Sequence, residues 1–129
     1  MSRWPVILAL AAALLPASPT LAHHSFAAYE SDKTLTLTAT VETFEWANPH
    51  AVLRVLAEEK GVDPQAAWEI ETSSPSILQR FGWKRGSIKR GDRILVVFNP
   101  MRDGSHHGRL HTVTLIDTGQ VLKTKLSGA

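Results

Sequence analysis

The sequence predicts an all-β fold. Five short segments of strand type follow one another, turn residues separate them, and one segment between the third and the fourth has a helical pattern. A length of 129 residues with 43% hydrophobic residues supports one compact domain. The formal net charge of +2 demands no polyanion, so a nucleic-acid partner is not expected. The absence of cysteine excludes disulfides, thiolate metal sites and covalent haem attachment.

The first strand has the clearest pattern. Residues 34–41 alternate between apolar side chains at odd positions and threonines at even positions, which is typical of a strand with one buried face. The next large apolar residues, Phe44 and Trp46, break the alternation and predict a β-bulge after Val41. Asn48-Pro49 has turn chemistry and ends the strand.

The second strand is predicted at residues 51–57, and the third around Trp68, Ile70 and Thr72, which alternate with glutamates. A polar turn at residues 58–64 separates them. The two segments fit a small antiparallel sheet.

A short helix is predicted next. Ser74 is the expected N-cap and Pro75 the first helical residue. One face of the helix is expected to hold Ile77, Leu78 and Phe81. Gly82 suits the left-handed residue that follows many helices, and Trp83 suits the hydrophobic contact that accompanies it.

The last two strands are predicted at residues 94–98 and 110–116, on either side of a glycine-containing loop at residues 101–108. Residues 117–129 form a turn and a polar tail. Short strands avoid exposed edges by closing into a barrel, and a helix between strands three and four is the arrangement of OB-folds. We therefore predict a small five-stranded OB-like barrel. A five-stranded sandwich with a capping helix is the alternative.

Residues 1–22 have the pattern of a cleavable signal peptide. Arg3 is followed by an apolar run at residues 6–15 and by small residues that end at Ala22, with Ala17 as a weaker cleavage site. The run spans about 15 Å as a helix, against ~30 Å for the hydrocarbon core of a bilayer, so no stable membrane anchor is expected. We therefore predict a soluble periplasmic protein whose single domain occupies residues 23–129.

Six histidines remain in the predicted mature chain, and they fall into three groups. The groups are His23 and His24 at the new N-terminus, His50 after the Asn-Pro turn, and His106, His107 and His111 around the last hairpin. In an OB-like barrel the loops that join strands one to two and four to five lie on the binding side. His50 is therefore expected to face His106 and His107. His111 shares its strand parity with apolar residues and is expected to be structural.

His23 gains a free α-amine on cleavage, and this amine can chelate a metal ion together with the imidazole of the same residue. A further imidazole completes an all-nitrogen site, whose tetragonal geometry suits Cu(II) or Ni(II), with the affinity highest for copper. Zinc, which three imidazoles can hold, is the second choice. Glu45 and Asp103 flank the two loops as candidate carboxylate ligands or hydrogen-bond acceptors for ligating histidines. The alternative is that the histidines are solvated and hold no metal.

A basic cluster follows the predicted helix. Its cations are Arg80, Lys84, Arg85, Lys89, Arg90 and Arg93, against the single acid Asp92, which gives a local charge of +5. Such a cluster can bind phosphate groups, anionic lipid headgroups or an acidic partner. The alternative is a solvated turn whose charge is balanced by Glu58, Glu59, Glu69 and Glu71.

Several motifs together resemble an uncharacterised family of short exported proteins from Gram-negative bacteria. They are His23-His24-Ser25-Phe26 with Tyr29, the segment from Phe44 to His50, Ser74-Pro75, Gly82-Trp83, Gly91-Asp92, and the segment from Pro100 to Ser105. The resemblance implies export and one small β domain, and it carries no activity. An N-terminal histidine after signal cleavage is also similar to periplasmic copper-binding proteins of other folds.

The function expected from these observations is that of a periplasmic binding protein for a divalent metal, with copper favoured. Its candidate ligands are His23, His24, His50, His106 and His107. The alternative is a module without metal that recognises a periplasmic protein, a glycan or a small anionic ligand through Trp46, Trp83 and Arg85. An enzyme is the third interpretation, because the sequence has no G-x-S-x-G or H-E-x-x-H motif.

Overall fold

The computed structural model describes residues 26–58 and 66–124. The predicted signal peptide, His23, His24 and the end of the tail lie outside these residues. The strands are β1 (Leu35–Glu45), β2 (Val52–Ala57), β3 (Ala67–Glu71), β4 (Arg93–Pro100), β5 (His107–Leu115) and β6 (Val121–Lys123). A 3₁₀ turn at Phe26–Ala28 precedes β1, and the helix α1 (Pro75–Arg80) lies between β3 and β4. No helix among the described residues is long and apolar enough to cross a membrane.

The first five strands close into a barrel, which confirms the predicted fold. Antiparallel neighbours follow the order β3-β2-β1-β4-β5, and a parallel pairing of β3 with β5 closes the circle. β6 pairs with β5 outside this circle. The helix α1 connects β3 to β4, as in an OB-fold.

β1 serves both halves of the barrel. Its first part, from Leu35 to Thr40, pairs with β4, and its second part, from Ala39 to Glu45, pairs with β2. The register with β2 shifts between Val41 and Thr43, where the sequence predicts a bulge. The extra residue lets the strand bend from one partner to the other.

The core lies inside the barrel and is built from alternate strand residues. On β1, for example, Leu37, Ala39 and Val41 are buried while the threonines between them are not. The largest fully buried side chains are Trp83, Phe98, Leu53, Ile70, Leu78 and Ile94. Truncation of a side chain of this kind to alanine costs ~2–5 kcal/mol. Residues available for a functional site are therefore those in the loops and those on the outward face of the strands.

The helix α1 contributes one side chain to this core. Leu78 is buried, whereas Ile77 and Phe81 are 39% and 44% exposed, so the predicted three-residue buried face is wrong. A helix of six residues completes fewer than two turns and presents one position squarely to the barrel. Gly82 then adopts a φ of 84°, and Trp83 is the next buried residue. The glycine and the hydrophobic contact predicted for the end of the helix are therefore confirmed.

Candidate functional site

The segment before β1 docks on the loop between β4 and β5. We call residues 26–30 the N-terminal strap. Tyr29 forms an antiparallel bridge with Met101. The backbone amide of Arg102 donates to the carbonyl of Ala28 at 2.9 Å, and its guanidinium donates to the carbonyl of Ala27 at 3.0 Å. The strap is therefore held to this loop by backbone hydrogen bonds and by the side chain of Arg102.

A single carboxylate joins the strap to the loop between β1 and β2. The Tyr29 hydroxyl donates to Oε2 of Glu71 at 2.9 Å, and Nε2 of His50 lies 3.4 Å from Oε1 of the same residue. Glu71 is the last residue of β3, where it pairs with Val52 of β2 and with Arg109 of β5. We call Tyr29, His50, Glu71 and Arg109 the Glu71 cluster.

Burial governs the electrostatics of this cluster. Tyr29 is 4% exposed, and burial together with its hydrogen bond to Glu71 raises the pKa of its hydroxyl well above the usual value. Burial lowers the pKa of Arg109, and the nearby Glu71 carboxylate opposes that effect. Tyr29 therefore keeps its proton at physiological pH and donates to Glu71 throughout that range.

His106 and Trp68 form a second feature of the site. The two rings stack with their centroids 4.5 Å apart and an interplanar angle of 17°. Trp68 also packs against Phe98, at 5.1 Å between ring centroids. The backbone amide of Glu69 donates to the carbonyl of His106 at 3.0 Å, which fixes the loop against β3. His106 is thus held beside β3 by both its ring and its backbone.

His107 is linked to a predicted carboxylate through a serine. The hydroxyl of Ser105 donates to Oδ1 of Asp103 at 2.6 Å, and it lies 3.1 Å from Nδ1 of His107. Asp103 therefore contacts a candidate histidine by way of Ser105, in the loop where the sequence placed it.

Two clefts lie beside Trp68. The first, which we call the Trp68 cleft, has a volume of about 260 Å³ and is lined by Glu42, Arg54, Ala67, Trp68, Glu69, His106 and His107. The second has a volume of about 320 Å³, and its walls include Trp68, Glu30 of the strap and Ser105. The sequence pattern does not indicate Trp68 as a site residue. Trp68 alternates with glutamates, as any inward residue does in a strand that has one buried face.

The two tryptophans predicted as ligand contacts, Trp46 and Trp83, pack in or against the core. Trp83 is 1% exposed, and its Nε1 donates to the carbonyl of Lys123 at 2.8 Å. Trp46 is half-buried and packs edge-on against Phe44, with the ring centroids 5.9 Å apart. Trp83 is therefore buried away from any ligand, whereas the ring of Trp46 stays partly exposed and remains a predicted ligand contact. Arg85, the third contact expected, is exposed.

Two predicted polar residues have partners of their own. The Glu45 carboxylate pairs with the guanidinium of Arg54, whose Nε also donates to Glu69 at 3.1 Å. His111 bonds through Nε2 to Oδ1 of Asn99, and burial, with a smaller effect from Arg109, lowers the pKa of its imidazole. His111 thus has the structural setting that its strand parity indicated. Glu45, at the end of β1, is held in an ion pair with Arg54 of β2.

The loop histidines contact three different partners: Glu71, Trp68 and Ser105. Within residues 26–58 and 66–124, no three histidine or carboxylate side chains come close enough to hold a metal ion together. The expected meeting of His50 with His106 and His107 at one centre is therefore not formed by these residues alone. His23 and His24 lie outside the described part of the chain.

Comparison with known proteins gives one match. A family model described as a family of unknown function (DUF6152) matches residues 11–111. No curated protein and no solved structure matches the chain. The match covers most of the chain and carries no activity with it.

Proposed function

The chain belongs to this family of unknown function, and we propose that it is an exported, periplasmic protein that binds a divalent metal, with copper favoured over zinc. The proposed ligands are the α-amine and imidazole of His23, completed by a loop imidazole. His50 is the loop histidine that the contacts favour. His24, His106 and His107 are the remaining candidates.

The observation that carries this proposal is the position of Glu71 between Tyr29 and His50. An undocked segment from residue 23 to residue 33 would reach about 36 Å. Residues 26–28 form a 3₁₀ turn, which rises about 2 Å per residue, so the six residues from the fixed Tyr29 back to His23 reach about 16 Å. Tyr29 and His50 share one carboxylate, so His50 lies within that reach. Docking thus supports an encounter between His23 and His50.

The partner of His50 supports the same choice. Histidines that ligate metals commonly engage a carboxylate through one ring nitrogen, which orients the ring and makes it a stronger ligand. Glu71 lies 3.4 Å from Nε2 of His50 and is itself held by Tyr29. We therefore assign Glu71 as a positioning residue for His50. His106, by contrast, stacks on the Trp68 indole, and its carbonyl accepts the backbone amide of Glu69.

The test is a Cu(II) titration, followed by calorimetry and EPR, of protein that begins at His23. A matched variant carries one extra glycine before His23, which removes the amine chelate and leaves every side chain in place. We expect the extra glycine to weaken copper binding at least tenfold and to change the EPR spectrum. Equal affinity and equal spectra for the two proteins would contradict the N-terminal chelate, and no binding by either would contradict metal binding altogether.

The Trp68 cleft favours a second candidate, a module that binds a small polar ligand such as a glycan. The cleft combines an indole with the charged groups of Arg54 and Glu69, and ligand sites typically pair apolar walls with a few polar groups. Proton–nitrogen NMR spectra recorded with mono- and disaccharides at millimolar concentration test it. Shifts confined to the Trp68 and His106 signals would support this candidate, and unchanged spectra would reject it for those sugars.

A further inference from the structure

The segment that contains α1 and the following turns has an unusual surface. We call residues 76–93 the basic face. Leu78, Trp83 and Ile88 are buried and fix this segment to the barrel. The residues between these three anchors are mostly exposed. The surface chemistry of the segment is therefore set by the side chains between the anchors.

Five of these exposed side chains are cations without an ion-pair partner. They are Arg80, Lys84, Arg85, Lys89 and Arg90, and none forms a salt bridge with any residue that the structure describes. The acid of the segment, Asp92, is half-buried and accepts the backbone amide of Lys89 at 2.8 Å. Arg93 pairs with Glu58 at 2.8 Å.

The glutamates that were expected to balance this charge have other partners. Glu58 forms an ion pair with Arg93, and Glu69 forms one with Arg54 on β2. Glu71 contacts Tyr29 and His50 in its own cluster. Glu59 lies outside the described residues. The positive charge of the basic face is therefore not cancelled by the described acids to which the sequence pointed.

Two exposed apolar side chains lie among the cations. They are Ile77, three residues before Arg80, and Phe81, which directly follows Arg80 and precedes Lys84 by three residues. Exposed aromatic and aliphatic side chains beside lysine and arginine are typical of protein surfaces that lie on an anionic bilayer. The apolar groups enter the boundary between headgroups and acyl chains while the cations contact phosphates.

We propose that the basic face docks the domain reversibly on an anionic phospholipid surface. An acidic protein is the less suitable partner, because aromatic anchors at protein interfaces fill pockets in well-packed interfaces. A fluid bilayer, by contrast, takes up exposed apolar side chains such as Phe81 and Ile77 without a matching pocket. The proposal is independent of metal binding, since it uses none of the proposed ligands.

Electrostatics sets the expected strength. Each lysine or arginine near an anionic membrane surface raises the affinity about fivefold, and the effect decays over ~8 Å at physiological ionic strength. Five cations together therefore raise the partition coefficient by about three orders of magnitude. Removal of three of them should lower it about a hundredfold, and added salt should weaken binding steeply.

The test is co-sedimentation of the mature protein with vesicles of phosphatidylglycerol and phosphatidylcholine, against vesicles of phosphatidylcholine alone. We expect binding to the anionic vesicles and little to the neutral ones. The triple variant Lys84→Ser, Arg85→Ser and Lys89→Ser should lose about a hundredfold of the affinity. Phe81→Ser keeps the charge and should weaken binding severalfold. Circular dichroism melting curves check that each variant is folded.

A matched pair of single substitutions completes the design. Arg85→Ser should lower vesicle affinity about fivefold, whereas Lys33→Ser, at an exposed cation paired with Glu30 in front of β1, should leave it unchanged. Equal binding to anionic and neutral vesicles would overturn the proposal. A folded triple variant that binds the anionic vesicles as tightly as the parent would also overturn it. The same holds if the parent does not bind vesicles but is retained on immobilised polyglutamate.

Discussion

The strap side of the barrel and the basic face both carry many charged groups, but they use them differently. On the strap side, Glu71 meets Tyr29 and His50, and Arg54 meets Glu45 and Glu69. On the basic face, five cations have no ion-pair partner among the described residues. Ion pairs fix the positions of the side chains that form them. Unpaired charges can attract oppositely charged groups of another molecule. The first region is therefore organised for geometry and the second for long-range attraction.

The largest contrast in stability is expected between two glycines. A Cβ on Gly108, at the closure of β3 and β5, would lie 2.2 Å from Cδ2 of the buried Phe98. Gly86, on the basic face, would place a Cβ with nothing within 4 Å. We expect Gly108→Ala to cost about 3 kcal/mol through overpacking, and Gly86→Ala to be nearly neutral. Urea unfolding of the two variants checks this, and equal destabilisation would contradict the packing described for Phe98.

The next effect separates positioning from folding in the Glu71 cluster. Glu71→Gln keeps the size of the side chain and removes the charge that orients His50, so copper affinity should fall about tenfold to a hundredfold. Glu71→Asp should restore part of it. Both the calorimetric affinity and the EPR spectrum should respond, whereas a merely structural role would change the melting temperature alone.

Tyr29→Phe is the companion substitution. It removes the hydrogen bond between the strap and Glu71 but leaves the contact between Glu71 and His50. We expect a loss of about 1.5–3 kcal/mol in stability, the usual range for a hydrogen bond to a charged acceptor. Copper affinity should also fall, since the strap would be held less firmly. A Tyr29→Phe protein that binds copper as tightly as the parent would show that docking of the strap does not matter for the site.

The half-buried His111 predicts that the stability of the protein depends on pH. Burial lowers the pKa of His111, so the unfolded chain takes up a proton before the folded chain does as the pH falls. Stability should therefore decline below about pH 6.5, the ordinary pKa of histidine, until the folded pKa is reached. His111→Gln should flatten this part of the stability curve, measured by urea unfolding across pH 5 to 7.5. An unchanged slope would contradict the assignment.

The smallest effect is expected on the basic face itself. Arg85→Ser removes an exposed cation without an ion pair among the described residues, so the free energy of unfolding should change by less than about 0.5 kcal/mol. The same substitution is expected to weaken vesicle binding about fivefold. A large loss of stability would mean that this region uses its charges for folding after all, and the contrast with the strap side would disappear.

Local sequence patterns predicted the elements of the fold well. The threonine alternation of β1, the break after Val41 and the helix that begins at Pro75 and ends before Gly82 all depend on neighbours within a few residues. The buried face of the helix was wrong for Ile77 and Phe81, because a short helix presents few positions to a curved barrel. The sequence predicts Trp83 both as the hydrophobic contact after the helix and as a ligand contact. In the structure Trp83 lies in the core.

The candidate site was less accessible to local reasoning. Glu71 reads as an outward strand residue, and its role appears only when the strap brings in Tyr29 from 42 residues away. The β3–β5 pairing that places Arg109 beside Glu71 also depends on closure of the whole barrel. Trp68 and His106 meet for the same reason. The identity of the loop histidines was visible in the sequence, but their partners follow from long-range register.

The most direct test of the account is the nitrogen hyperfine pattern in the EPR spectrum of the Cu(II)-loaded mature protein. We predict that His50→Ala removes one coordinated nitrogen relative to the parent, and that His106→Ala leaves the pattern unchanged. The same pattern in His50→Ala and in the parent would contradict the claim that the docked strap presents His23 to His50.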